Sequence, residues 1–212
     1  MRIRPTIVVL AAGQGRRFLG ARHKLEQPLG GSTVLGVTLA NAIQTRLPVV
    51  VVTTAALAPL VADQVAHRDT VILSDIDARR GMGYSIAAGV VERAASPGWL
   101  VLPGDMPLVR PSTLLAVASK LEQHPLAYAQ HRGRRGHPVG FSAELYSELV
   151  ALSGEEGARR LIARYPGVAA EVDDPGVLVD VDTEADLDAL RTAHPASSPS
   201  SAATPEPASP AD

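Results

Sequence analysis

The apolar positions of the chain follow two rhythms in turn. Short unbroken runs, rich in β-branched residues, occupy Thr6–Leu10, Val49–Thr53, Thr70–Leu73 and Trp99–Leu102. Each is bounded by turn-forming residues, and a continuous apolar run without alternation marks a strand covered on both faces. Between them the spacing becomes helical over Thr33–Thr45, Leu57–His67, Ser85–Ala95 and Ser112–Gln123. Strands joined through single helices imply right-handed crossovers and a mainly parallel sheet. After Leu126 the rhythm loosens. Strands are expected at Leu126–Gln130, Val139–Ser142, Ala169–Val172 and Val177–Val181, and helices at Ala143–Leu152, Gly157–Tyr165 and Thr183–Ala193. The predicted architecture is an α/β three-layer sandwich around a Rossmann-like, mostly parallel sheet, with its ligands at the carboxyl ends of the strands.

The pattern stops near His194. The stretch HPASSPSSAATPEPASPAD holds no apolar residue larger than alanine or proline, too little to offset chain entropy on folding. Residues 1–193 are therefore expected to form one domain, followed by a disordered tail over 194–212. The chain of 212 residues is 46% hydrophobic but only 3% aromatic, so the core is expected to consist of Val, Leu, Ile and Ala. A net charge of −2 supplies no whole-protein field for nucleic acid, so any positive site must be local. The absence of cysteine excludes disulfides, thiolate metal sites and cysteine nucleophiles, and fits a reducing cytoplasm. The basic start and apolar run of MRIRPTIVVLAAG are too short for a membrane span and read as a strand entering a loop. No nucleic-acid or membrane partner is expected.

Local positive charge appears at once. In IVVLAAGQGRRFLGARHKLEQPLGG, residues 7 to 31, an apolar strand runs into Gly13 and Gly15, followed by Arg16, Arg17, Arg22 and Lys24 with no acid before Glu26. Glycines let the backbone turn tightly, and successive free N–H groups form an anion nest. A dinucleotide fingerprint would need a third glycine where Phe18 stands, and a Walker A loop would need Gly-Lys-Ser/Thr around Lys24. Both templates fail. What remains is a loop for a nucleoside triphosphate, weighed against a merely solvated basic loop.

Two carboxylate segments follow. LVLPGDMPLV, residues 100 to 109, ends a buried strand at Pro103-Gly104 and presents Asp105 beyond it. Such a hard anion suits Mg²⁺ shared with substrate phosphates, the alternative being a turn aspartate. In DPGVLVDVDTEADLDAL, residues 174 to 190, Asp180 and Asp182 project to one side by strand alternation, so either reaches the cleft. Asp182, nearer the sheet edge, is favoured as the second metal ligand over plain N-capping. Thr183 with Asp186 suggests a capping box. ARRGMGYSIAAGV, residues 78 to 90, places Gly81 and Ser85 at a helix start whose N–H groups favour polar ligand contacts or simply cap the helix. HRGRRGHPVGFS, residues 131 to 142, gathers Arg132, Arg134, Arg135 and His137, which either receive a phosphorylated acceptor or form a solvated hairpin.

Taken together, Leu10-Ala11-Ala12-Gly13-Gln14-Gly15-Arg16-Arg17, Lys24-Leu25, Pro28-Leu29-Gly30-Gly31, Gly104-Asp105-Met106-Pro107, Gly136-His137-Pro138-Val139 and Asp180-Val181-Asp182-Thr183 resemble the motifs of the molybdenum cofactor nucleotidyltransferases, in the same order. Departures are Phe18 for the usual Met, a longer Arg-to-Lys spacing, Ala185 for proline, and Glu155 for aspartate in SGEEGARRL. The resemblance implies a nucleotidyltransferase-type sheet, with Leu10 to Gly13, Gly15, Arg16, Lys24, Gly81 and Ser85 binding nucleotide. It implies that Arg17, Lys24 and Asp105 serve catalysis and that Asp105 and Asp182 hold Mg²⁺. It places Arg135, His137 and Arg159 on the acceptor side, His137 without an acid–base role. The Ser85-Ile86-x-x-Gly89 pattern and Ala12, where guanylyl-transferring relatives have glycine, tilt the donor towards CTP. The implied acceptor is molybdopterin, the product its cytosine dinucleotide, and a molybdenum hydroxylase apoenzyme is an admissible protein partner. The rivals are transfer from GTP or to another phosphate acceptor, and a non-catalytic nucleotide-binding maturation factor.

Overall fold

The structure is a computed structural model that describes residues 3–13, 15, 18 and 22–193. The proposed tail, Arg16 and Arg17 lie outside the described residues. Strand β1 (Thr6–Ala11) leads through a glycine turn and a 3₁₀ turn at Lys24–Glu26 to the short hairpin β2 (Pro28–Leu29) and β3 (Ser32–Thr33). Helix α1 (Val34–Gln44), β4 (Val49–Thr54), the single-turn α2 (Pro59–Ala62), β5 (Thr70–Leu73), α3 (Asp75–Ala78), α4 (Met82–Glu92) and β6 (Gly98–Pro103) follow. The second half comprises α5 (Pro111–Lys120), β7 (Leu126–His131), β8 (Arg134–Ser142), α6 (Tyr146–Val150), α7 (Arg159–Arg164), β9 (Gly167–Glu171) and α8 (Glu184–Ala193).

Seven strands form one sheet in the order β5-β4-β1-β6-β8-β7-β9. β8 runs antiparallel to β6 and β7, while the other pairings are parallel. Alternate residues of β1 enter different cores: Ile7 and Val9 belong to the one shared with residues of α1, α5 and α8, and Val8 to the one shared with residues of α4 and α6. Burial on both faces is why the central strands read as unbroken apolar runs. From β1 the sheet grows first towards β4 and β5, then resumes on the other side with β6. That reversal is a topological switch point, where open sheets leave a crevice at the strand ends. Here Leu10 pairs with Pro103, and the Gly104 N–H donates to the Leu10 carbonyl at 2.9 Å. A Cβ on Gly104 would stand 2.9 Å from that oxygen, so only glycine lets the loop after β6 lie against the loop after β1.

Several expected elements are redrawn. Val177–Val181 is not a strand. Pro175 opens a 3₁₀ turn over Pro175–Leu178, capped by Asp174, whose Oδ1 accepts the Gly176 N–H at 3.1 Å. Val177 and Val181 enter the core four residues apart, and the Val181 N–H donates to the Asp105 carbonyl at 3.0 Å. Leu57–His67 contracts to one helical turn, because its apolar residues Leu57, Val61 and Val65 are buried from consecutive turns rather than a continuous helix. β8 begins at Arg134 because Arg132 and Gly133, with φ of 49° and 76°, make a hairpin turn. The expected helix at Ala143–Leu152 is a 3₁₀ turn followed by α6, and the hairpin β2–β3 and helix α3 were not foreseen.

Candidate active site

The crevice at the switch point is a cleft of about 490 Å³, within the range of small-molecule sites. From the first loop come Leu10, Ala12, Gly13, Gly15 and Lys24, and from the end of β6 come Pro103 and Asp105. Gly81 and Ser85 arrive from the start of α4, and Asp182 from the segment before α8. Ala11 instead sits in the core, 1% exposed, and Phe18 anchors the loop there. The Phe18 side chain thus occupies an apolar slot where the dinucleotide template would require glycine.

Lys24 is the hub. Its Nζ donates to Asp105 Oδ2 at 2.6 Å and to Asp182 Oδ1 at 2.9 Å. Burial alone would lower the ammonium, but the charges of Asp105 and Asp182 and their hydrogen bonds outweigh it and raise Lys24 above the ordinary lysine value. Asp182 is oriented by the start of α8. The Asp182 and Thr183 N–H groups donate to Asp186 Oδ2, and the Asp186 N–H donates to Thr183 Oγ1, so the expected capping box is present.

Among the described residues, Asp105, Asp180 and Asp182 offer carboxylate oxygens within 4.8 Å of one another. Asp180, by strand alternation an alternative to Asp182, therefore joins it, through the turn at Pro175–Leu178 rather than through a strand. Partial burial raises the Asp180 carboxyl above its usual range, and the Asp182 and Asp105 charges add to this. Asp105 Oδ1 is buried and accepts no hydrogen bond. A buried carboxylate oxygen without a donor is a place for a cation, and three hard oxygen donors suit a divalent ion of the Mg²⁺ or Mn²⁺ kind. The donor set fits a metal.

The far wall of the cleft is formed by Met82, Glu155, Ala78 and Arg79. The loop carrying Glu155 lies so close to α4 that a Cβ on Gly81 would meet the Gly154 carbonyl carbon at 2.4 Å, and Gly81 itself has φ of 91°. The Gly83 N–H donates to the Gly154 carbonyl at 2.9 Å, so one N–H of that helix start serves the protein rather than a ligand. Glu155 was legible only as a departure from a motif, with no signal that it faces the cleft.

Arg135, His137 and Arg159 are not among the residues lining this cleft. By alternation Arg135 and His137 share the face of β8 that carries Val139, and α7, which Arg159 opens, packs on that same face. The Arg135 guanidinium lies 3.7 Å above the Tyr128 ring. Burial pushes the His137 imidazole below its ordinary value, against the opposing effects of the Asp105 charge and a hydrogen bond with the Val101 backbone. A second cavity of about 330 Å³ adjoins the cleft across Ala12, Gly13 and His23. No helix among the described residues is long and apolar enough to cross a membrane.

Comparison with known proteins adds to this geometry. A family model described as a MobA-like NTP transferase domain matches residues 7–170. The purine catabolism protein PucB of Bacillus subtilis is 32% identical over 199 residues, covering 88% of this chain and 95% of PucB. The crystal structure of Rv0371c from Mycobacterium tuberculosis superposes with a TM-score of 0.76 at 28% identity, covering 88% of this chain and 97% of that one. A manganese complex of Rv0371c superposes at 0.70 with 29% identity, covering 87% and 96%.

Proposed function

The chain belongs to the MobA-like NTP transferase family and is a nucleotidyltransferase, and from that premise we propose that it transfers CMP from CTP to the terminal phosphate of molybdopterin, releasing pyrophosphate. The observation that carries this reading is the meeting of Lys24, Asp105 and Asp182 in a cleft that the glycine loop, Gly81, Ser85 and Glu155 also line. Triphosphate belongs beside the charged side chains and the nucleobase beside the small residues.

In the proposed reaction an oxygen of the acceptor phosphate forms a bond to the α-phosphorus. The bond from that phosphorus to the bridging oxygen breaks, and pyrophosphate leaves with the electron pair. A phosphate nucleophile is already ionised near neutral pH, so no general base is needed, and His137, which does not line the cleft, is given no acid–base role. What the protein must supply is alignment and charge neutralisation. Asp105 and Asp182, with Asp180 beside them, would hold a divalent cation, Mg²⁺ by preference, whose charge would offset that of the phosphates. Lys24, the backbone of Gly13 and Gly15, and Arg16 and Arg17 are assigned to the pyrophosphate. Ala12 lines the cleft, and its methyl group, in place of the glycine of guanylyl-transferring relatives, supports CTP. Arg135, His137 and Arg159, sharing one side of the sheet, are assigned to the acceptor. A molybdenum hydroxylase apoenzyme in the cytoplasm is the proposed recipient of the product.

The test is a panel of triphosphates incubated with metal and molybdopterin, followed by pyrophosphate release. Release with CTP supports the reading. Release with GTP alone rejects the base assignment, and tight triphosphate binding without release under any condition would favour a non-catalytic carrier.

A further inference from the structure

His23 makes three contacts that no part of the proposed mechanism uses. Its Nδ1 accepts the Leu25 N–H at 3.2 Å, capping the turn that carries Lys24. Its Nε2 lies 2.9 Å from the Gly13 carbonyl oxygen. The backbone N–H of His23 donates to Glu26 Oε2 at 3.0 Å, which completes a capping box. A carbonyl only accepts, so Nε2 carries the proton, and Nδ1, which accepts from Leu25, carries none. The two bonds therefore fix the ring in one neutral tautomer. The ring also lies against Gly15: a Cβ there would stand 2.9 Å from Nε2, and the φ of 58° at Gly15 already favours glycine.

We infer that His23 is a positioning residue that ties the glycine turn to the lysine turn and thereby sets the spacing of the groups that grip the leaving pyrophosphate. The inference rests on the triphosphate reading of this loop. One end of the tie is the carbonyl of Gly13, the other the residue following Lys24, so the imidazole joins the glycine loop directly to the cationic hub across ten residues of sequence. The tie has an electrostatic consequence as well. A carbonyl oxygen turned towards phosphate would repel it, and the Nε2–H engages that oxygen.

Two conservative replacements separate this role from ordinary capping. His23→Asn keeps an acceptor for the Leu25 N–H but has no group to reach Gly13, and Asn is itself a good cap. His23→Gln places an amide N–H near the position of Nε2. Triphosphate and pyrophosphate affinities are measured by calorimetry with Mg²⁺, alongside Tm and steady-state kinetics. In His23→Asn, Tm is expected to stay near that of the wild type while both affinities fall about tenfold, the equivalent of one hydrogen bond. In His23→Gln the affinities should return to within about threefold of the wild type. KM for the triphosphate should rise in His23→Asn with kcat nearly unchanged, because the loop holds the same phosphates before and during transfer. Wild-type affinity in His23→Asn overturns the tie, as does a loss of affinity in His23→Gln as large as in His23→Asn. Absence of triphosphate and pyrophosphate binding by the wild-type protein instead overturns the reading of the loop on which the tie rests.

Discussion

Lys24 stands where a cation is wanted, and that makes Lys24→Gln an informative perturbation. The ammonium bridges Asp105 Oδ2 and Asp182 Oδ1, with side chains only 12%, 16% and 19% exposed. A divalent ion approaching the three carboxylates must displace this ammonium or sit beside it. One unit charge about 4 Å away is worth about 4 kcal/mol at an effective dielectric of 20. A lysine can swing aside and the interaction is screened, so about 1.4 to 2.7 kcal/mol of this should survive. Lys24→Gln is therefore expected to bind Mn²⁺ about 10- to 100-fold more tightly in the absence of nucleotide. Transfer should fall about 100-fold or more, since a preorganised donor to the phosphates is gone. The assay is an electron paramagnetic resonance titration of metal-stripped protein with Mn²⁺, repeated with a non-hydrolysable triphosphate. In the wild type the nucleotide should tighten Mn²⁺ by drawing Lys24 onto phosphate, and in the variant this enhancement should shrink. Mn²⁺ binding that is equal or weaker in Lys24→Gln would refute the reasoning.

The other predictions concern neighbouring residues. Asp180→Asn should raise the Tm of metal-stripped protein at neutral pH by about 1 to 2 °C, a small value because the carboxylate is largely exposed and screened. The sign follows from its raised carboxyl: ionisation costs the folded state at pH above that raised value, so the variant's advantage should vanish as pH falls below the ordinary aspartate range, and differential scanning calorimetry across pH checks it. Gly81→Ala must move the backbone of Gly154 and leave a positive φ. A cost of about 2 kcal/mol, or about 4 to 8 °C in Tm, is expected, with a raised KM because Glu155 shifts with that loop. Asp174 is 2% exposed and accepts from the Arg110 N–H at 2.9 Å, Thr113 Oγ1 at 2.6 Å and the Gly176 N–H at 3.1 Å. Asp174→Ala leaves these donors without an acceptor and should cost about 2 to 4 kcal/mol in urea unfolding, with no change expected at Asp174→Ala beyond the measurement's scatter if the three bonds contribute nothing.

The sequence carried much of the sheet because its central strands are buried on both faces. Runs such as IVVL and VVVVT cannot be placed otherwise, and β1, β4, β5 and β6 lie within a residue or two of where they were expected. The alternation of strand and helix put ligands at the carboxyl ends of the strands, and Asp105, beyond β6, does lie there, bonded to Lys24. What failed was local. Val177–Val181 has strand composition, but Pro175 and the cap from Asp174 fold it into a turn that brings Asp180 and Asp182 beside Asp105 together. Periodicity cannot detect that, because the buried residues of a turn and of a strand are both apolar. Glu155 and His23 were missed for a different reason. Their roles depend on contacts made across the fold or on ring geometry, and neither leaves a spacing in the chain.

The most direct measurement is the mass of the pterin product after purified protein, molybdopterin and Mg²⁺ are incubated with equimolar CTP and GTP. The expected result is a gain of one CMP unit, with one pyrophosphate released for each molecule of acceptor consumed. A gain of GMP would contradict the assignment of the donor, and an unmodified pterin would contradict the assignment of the acceptor.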